Sequence, residues 1–368
     1  MLCLTLGLGR KKRTKTSKFY LVVSFHFFES IYFLVKMKKI YSPFLFSLLL
    51  SIFCITNAYS WGFYGHRIIN RMAVYTLPPE MFGFYKAHIQ YITENAVNPD
   101  RRRYAVEGEA PRHYLDMDIY GDSAWLTLPH RWKDAVEKYS EDTLMAYGIV
   151  PWTVEQFRWK LTNAMERGDA EAIIRISADL GHYIGDSHVP LHTTENYNGQ
   201  LTDQYGIHGF WESRLPELYA LQYDFFVGKA EYIENTQERA WEAVIGSHIA
   251  LDSVLRFEKQ LTQQMCDDQK WSYETRGKIT QKLYSRPFSK AYHDMLNGQV
   301  ERRMKQSIKT VGDFWLTCWI DAGQPDLNKL LLSKEAQEKL ENEMKELQPS
   351  EGQSAPTLPE KPREHEGN

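Results

Sequence analysis

Residues 178–192, ADLGHYIGDSHVPLH, limit the fold more than any other stretch of the chain. Apolar residues recur here at three- and four-residue spacing (Ile173, Ile176, Leu180, Ile184), which is the period of a helix. His182 and Asp186 stand four apart, so they share one helical face. The helix is apolar around them, so both groups face a core, and an ionised group buried without a partner costs roughly several kcal/mol. Pro190 closes the helix and His192 follows in the loop. A second pair one turn apart, His208 and Glu212, lies within IHGFWESRLPE. One His-x-x-x-Asp pair is more often a capped or solvated helical pair than a ligand pair. Two such pairs with a histidine between them are better explained by a bound metal, the partner these buried groups need. His188, two residues after Asp186, points to another side of any continuing helix and is read as a supporting or surface residue.

The helical period continues through Ile68-Ile69-Met72-Ala73 and Phe157-Leu161-Met165, and alternating strand patterns are almost absent. Pro78-Pro79, Pro111, Pro151, Pro190, Pro287 and Gly323 break the helices, and no repeat of fixed period is present. The expectation is an all-α fold: a single multi-helix domain over residues 61–332 with long loops. Residues 333–368 form a charged tail. It is rich in Lys and Glu to Leu347, as a solvated helix would be; beyond that it has almost nothing to bury and is expected to be disordered.

Residues 37–60 have the pattern of a signal peptide: a short basic start at Met37-Lys38-Lys39, an apolar run over 44–55, and small residues at Ala58 and Ser60. Cleavage there leaves Trp61 first and sends the protein to the periplasm or the exterior. Residues 1–36 do not fit and are read as a mis-called N-terminal extension, with an unusually long signal or an anchor as the alternative. The processed chain keeps only Cys266 and Cys318, either joined as one disulfide in an oxidising compartment or present as two buried thiols. A formal net charge of -3 gives no global basic field of the kind that binds duplex nucleic acid.

Taken together, HYIGDSHVPLH, His208-x-x-x-Glu212 and the start Trp61-Gly62-Phe63-Tyr64-Gly65-His66 resemble the S1/P1 nuclease and zinc-dependent phospholipase C superfamily, closer to its nuclease-like branch. The resemblance covers roughly residues 61–322. It implies long loops around a cleft holding three Zn2+. One zinc would take Asp100, His113, His182 and Asp186, and a second His192, His208 and Glu212. The third would take His66, Asp186, and the α-amino nitrogen and carbonyl oxygen of Trp61, with Asp186 bridging two metals. Imidazole, carboxylate and amine ligands without thiolate suit hydrolytic zinc, which keeps open positions. The amine ligand exists only after cleavage, so maturation would complete that site.

The same resemblance implies a hydrolase that opens phosphodiester bonds by attack of a zinc-bound hydroxide, with Asp100, Asp186 and Arg103 in catalytic roles. Arg103, three after Asp100, would grip phosphate; its ordinary reading is surface charge in Arg101-Arg102-Arg103. Tyr114 would stack on a base and Asp116 would accept hydrogen bonds from its edge, although simple packing explains Tyr114 equally well. Single-stranded nucleic acid is the expected substrate, from the short Trp61-x4-His66 spacing and the Asp100-x-x-Arg103 pair. Phospholipid is the alternative, because Glu212 stands where the nucleases more often have Asp. A non-catalytic secreted zinc-binding protein is a third reading. No obligate protein partner is inferred, and a monomer is expected.

Overall fold

Helix starts in this chain are written by prolines and small polar caps. In the computed structural model, which describes residues 62–276, 279–330 and 332–347, Pro151 sits in the first turn of the helix Val150–Glu166. The Asp169 side chain accepts the Ala172 N–H at the head of Ala170–Ser187, and Asn235 accepts that of Glu238 at the head of Thr236–Gln264. Ser285 does the same for Phe288 in Arg286–Met295. With Gly62–Ala73 and Gln299–Asp321, these helices frame the site. In chain order they are α1 (Gly62–Ala73), α2 (Val150–Glu166), α3 (Ala170–Ser187), α4 (Thr236–Gln264), α5 (Arg286–Met295) and α6 (Gln299–Asp321).

Helix α3 lies at the centre, against α1, α2 and α6. Its apolar stripe joins Ile69, Phe157, Leu161, Leu180, Ile184, Val311, Phe314 and Trp315 in one buried core. A second apolar cluster gathers Val189, Phe210, Trp211, Val254, Phe288 and Tyr292, with Phe210 stacked on Tyr284 at 3.8 Å. Two glycines let α1 come close to α3. A Cβ on Gly181 would meet Asn70 Oδ1 at 2.0 Å, and one on Gly185 would meet His66 Nδ1 at 2.9 Å. Asn70 uses that space to donate to the Ala178 carbonyl at 3.0 Å.

Two features depart from the expected pattern. Trp271–Arg276 (β1) and Ile279–Tyr284 (β2) pair as an antiparallel hairpin, Trp271 opposite Tyr284. It is tied down at its base by buried Lys270, 2.8 Å from both Glu258 Oε1 and Thr262 Oγ1. Arg214 ties it from the side by pairing with Glu274. The helix Lys334–Leu347, expected to be solvated, is docked on one face: Ala336 and Leu340 are buried, and Glu343 takes the Tyr91 hydroxyl at 2.9 Å and pairs with Arg175. The proposed extension 1–36, the signal 37–60, Trp61 and the tail beyond Leu347 lie outside the described residues. Among the described residues no helix is long and apolar enough to cross a membrane. Cys266 is exposed and Cys318 buried, both as free thiols, so the disulfide alternative gives way to unpaired cysteines.

Candidate metal centre

Six separate segments deliver the ligand candidates to one place. Helix α1 brings His66, the short helix Asn98–Arg102 brings Asp100, and the 3-10 turn Ala110–His113 brings His113. Helix α3 carries His182 and Asp186 on one face, and the 3-10 turn Pro190–Thr193 presents His192. His208 and Glu212 belong to a helical run in which Ile207–Gly209 passes into a π-helical turn, Phe210–Arg214, before Leu215–Tyr219. Single π turns of this kind occur often at functional sites. All eight residues are 0–6% exposed.

Asp186 is the hub. Its Oδ2 lies 2.9 Å from His113 Nδ1 and 3.2 Å from His182 Nε2. Its Oδ1 lies 3.4 Å from His66 Nε2 and 3.6 Å from His192 Nδ1. Asp100 Oδ1 is 3.7 Å from both His113 Nδ1 and His182 Nε2, which are 3.0 Å apart. Beyond them, His192 Nε2 is 3.0 Å from His208 Nε2 and 3.5 Å from Glu212 Oε2, and His208 Nε2 is 2.5 Å from that oxygen. Ligand atoms about 2.0–2.1 Å from a tetrahedral zinc stand roughly 3.3 Å from one another. The separations around His113, His182, Asp100 and Asp186, from 2.9 to 3.7 Å, straddle that value. Among the groupings compact enough to hold an ion are His113 with His182 and Asp186, His192 with His208 and Glu212, and His66 with Asp186 and Glu212. His66 further groups with Asp100 and His182, and its ring stacks on His182 at 4.0 Å.

A cation is what the donor set fits. Asp186 Oδ1, His192 Nδ1 and Glu212 Oε1 are buried with no hydrogen-bond partner, an arrangement that hydrogen bonding alone leaves costly. Burial works against the charge on Asp186, but His182 and His192 hold its carboxyl well below the usual range. Burial likewise opposes Glu212, and His208 and His192 bring it down to about 2. Both carboxylates therefore stay ionised. Burial depresses His113 to about 4, which keeps its ring neutral. It pushes His182 the same way, but Asp186 and Asp100 outweigh it and raise that ring to about 9. His182 Nδ1 donates to the Ala96 carbonyl at 2.9 Å, which aims Nε2 at the cluster.

His188 stays out of the cluster. It is buried rather than on the surface, and donates from Nδ1 to the Ile184 carbonyl at 2.7 Å. Its own carbonyl accepts from Arg303 Nε at 2.9 Å, so it helps fix the end of α3. Of the arginine triplet, Arg102 is bound to Asp179 and Glu109, and Arg101 stacks on Phe63 at 5.2 Å. Arg103 is half-buried, and its charge is one of the influences lowering His113. Tyr114 and Asp116 follow His113 into the interior. Both are buried, and the Tyr114 hydroxyl reaches the Ala146 carbonyl at 3.4 Å while its backbone packs under Gly148.

Sequence reasoning passed over Glu109. Buried at 1% exposure, it takes a hydrogen bond from the Tyr183 hydroxyl, pairs with Arg102 at 3.1 Å and Arg112 at 3.2 Å, and approaches His113 Nε2 at 3.8 Å. Its only sequence signal was a glutamate four before His113, too common a spacing to stand out. Gly181 and Gly185, one turn apart around His182, were a readable sign of close helix approach that periodicity alone ignores. The sequence profile of the family described as S1/P1 Nuclease matches residues 61–309. No curated protein gives a significant match.

Proposed function

The chain belongs to the S1/P1 nuclease family, and from that membership we propose that it is a zinc-dependent hydrolase of phosphodiester bonds in single-stranded nucleic acid, working outside the cytoplasm once cut before Trp61. The observation that carries the reading is Asp186, whose two oxygens each face a different pair of imidazoles. One carboxylate so placed can serve two metal ions at once. Asp100, His113, His182 and Asp186 would hold one ion, His192, His208 and Glu212 a second, and His66 with Asp186 and the Trp61 terminus a third.

Bound zinc would supply a water acidic enough to act near neutral pH, and positive charge towards the phosphoryl oxygens. The protein's own groups would do the rest. The Ala96 carbonyl and Asp186 fix the His182 ring. Asp100, whose Oδ1 is 3.7 Å from His113 Nδ1, would accept a hydrogen bond from the attacking water. Arg103 would bind a non-bridging phosphate oxygen. No serine or cysteine nucleophile enters this scheme.

Two sequence features support nucleic acid as the substrate: the short Trp61-x4-His66 spacing and Asp100-x-x-Arg103. Glu212 favours a phospholipid instead, with release of a phosphorylated head group. A paired assay separates them. The zinc-loaded protein should release acid-soluble nucleotides from single-stranded DNA or RNA and no phosphocholine from lecithin; the reverse result overturns the nuclease reading. Failure to hydrolyse bis-p-nitrophenyl phosphate would overturn both and leave a zinc-binding protein without catalysis.

A further inference from the structure

His113 and His182 turn opposite edges to the cluster. His182 presents Nε2 and His113 presents Nδ1, 3.0 Å from each other and 3.2 and 2.9 Å from Asp186 Oδ2. A ring nitrogen that gives its lone pair to a cation leaves the proton on the other nitrogen, so each ring needs an acceptor behind it. For His182 that acceptor is the Ala96 carbonyl at 2.9 Å. His113 Nε2 is buried and makes no hydrogen bond. Behind it stands the Glu109 carboxylate, with Oε1 at 3.8 Å. That is too far for a hydrogen bond but near enough for the negative charge to favour an N–H over a lone pair at Nε2. The carboxylate is itself fixed. Its Oε1 accepts from the Tyr183 hydroxyl and from Arg102 Nε at 3.1 Å, and its Oε2 from Arg112 Nη1 at 3.2 Å. Arg102 stands two residues after Asp100 and also donates to the Tyr183 hydroxyl at 2.8 Å. Tyr183 follows His182 in α3, and its ring meets His113 edge to face at 5.5 Å. Glu109 is thereby tied to the segments that carry Asp100, His113 and His182.

We propose that Glu109 is a positioning residue of the metal centre, which sets the proton of His113 on Nε2 and so turns its Nδ1 lone pair towards the ion shared with His182 and Asp186. The proposal rests on the zinc-dependent reading of that centre. The plainer role for Glu109 is to neutralise two arginines, and its burial argues against that role alone. The Arg102 and Arg112 side chains keep 28% and 29% exposure, whereas that of Glu109 has 1%. A carboxylate at the surface would serve such arginines without the desolvation that burial costs it. What the buried position adds is proximity to His113 Nε2.

The test measures zinc bound per chain by elemental analysis after dialysis against buffers of graded free Zn2+. Glu109→Ala should release one ion at a free concentration about tenfold higher than the wild type does. Glu109→Gln, whose amide oxygen can still accept from Nε2, should recover most of that loss. Arg112→Gln breaks the pair on Oε2 and leaves Oε1 facing the ring, so its Tm should fall while its zinc curve stays that of the wild type. Nitrogen-15 NMR of the zinc-loaded wild type, labelled at histidine, should show His113 bound through Nδ1 and protonated at Nε2. Zinc curves of Glu109→Ala and Arg112→Gln that coincide, or a His113 bound through Nε2, overturn the positioning role. Should Glu109→Ala fail to fold, the wild-type spectrum decides. A wild type that retains no zinc brings down the metal-centre reading and this role with it, whereas a wild type that binds zinc no more tightly than Glu109→Ala brings down the positioning role alone.

Discussion

Asp186 serves both sides of the cluster through its two oxygens, and an amide cannot. Asp186→Asn replaces one acceptor oxygen by an N–H donor aimed at imidazole nitrogens. It should bind fewer zinc ions per chain by elemental analysis and lose at least roughly a hundredfold in kcat; near-normal turnover would contradict the bridging role. Glu109 carries a second prediction. Burial raises its pKa, but the Tyr183 hydroxyl and the Arg102 guanidinium outweigh burial and hold the carboxyl below its usual range. Glu109→Gln leaves Arg102 and Arg112 without that charge, at a cost of about 2–3 kcal/mol, less than a fully buried pair because both arginines keep some solvent. A depressed folded pKa stabilises fully above the ordinary glutamate value near 4.3 and loses its effect as pH falls through the folded value. The gap in Tm between wild type and Glu109→Gln should therefore be largest near neutrality and close below about pH 4. The clustering of His182, Asp186, His208 and Glu212 was legible in the sequence because metal-binding side chains spaced by one helical turn leave a pattern. Glu109 was not, since its partners Arg102 and Tyr183 converge only through tertiary packing.

Helices α1 and α3 fit because glycine stands where each would otherwise collide with the other. Alanine is intrinsically favoured over glycine inside a helix by about 1 kcal/mol, so Gly185→Ala would stabilise α3 if nothing faced it. Its new methyl would instead press on His66 at 2.9 Å. The variant should fold with unchanged far-UV circular dichroism and lose activity by roughly tenfold or more, since a misplaced ligand of about 1 Å is costly; full activity would show that the His66 ring is free to shift. At this scale the long helices were readable from their period, whereas the hairpin Trp271–Tyr284 was not. Its polar faces alternate only weakly, and its anchorage comes from Lys270 and Arg214, which belong to other elements. The π turn around Glu212 was equally hidden, because one added residue per turn leaves the His208 to Glu212 spacing unchanged.

For the whole molecule, zinc would act as a set of cross-links between parts of the chain that are distant in sequence. A ligand that binds only the folded state at about 1,000 times its Kd adds roughly 4 kcal/mol per site, and a domain of this size gains about 2–4 °C per kcal/mol. Dialysis against a chelator should lower Tm by on the order of 10 °C for each site emptied and abolish turnover, with both recovered on adding Zn2+; a Tm indifferent to chelation would remove the metals from the account of stability. The architecture as a whole was legible in the spacing of apolar residues and prolines. The docking of Lys334–Leu347 was not, because a helix with only Ala336 and Leu340 to bury looks solvated until Arg175 and Tyr91 meet Glu343.

The His113 to Asp186 contact joins residues 73 apart in sequence, and Asn70 to Ala178 spans 108. No contiguous fragment that lacks any part of the run from His66 to Glu212 contains the site, so catalysis behaves as a checksum on that half of the fold. Secondary structure forms from local contacts and returns early, but pairings at long sequence separation come late. A chain released half-folded, or cut anywhere between α1 and the Glu212 turn, would keep much of its helix and none of its chemistry, which confines hydrolysis to the state in which every one of these segments has arrived.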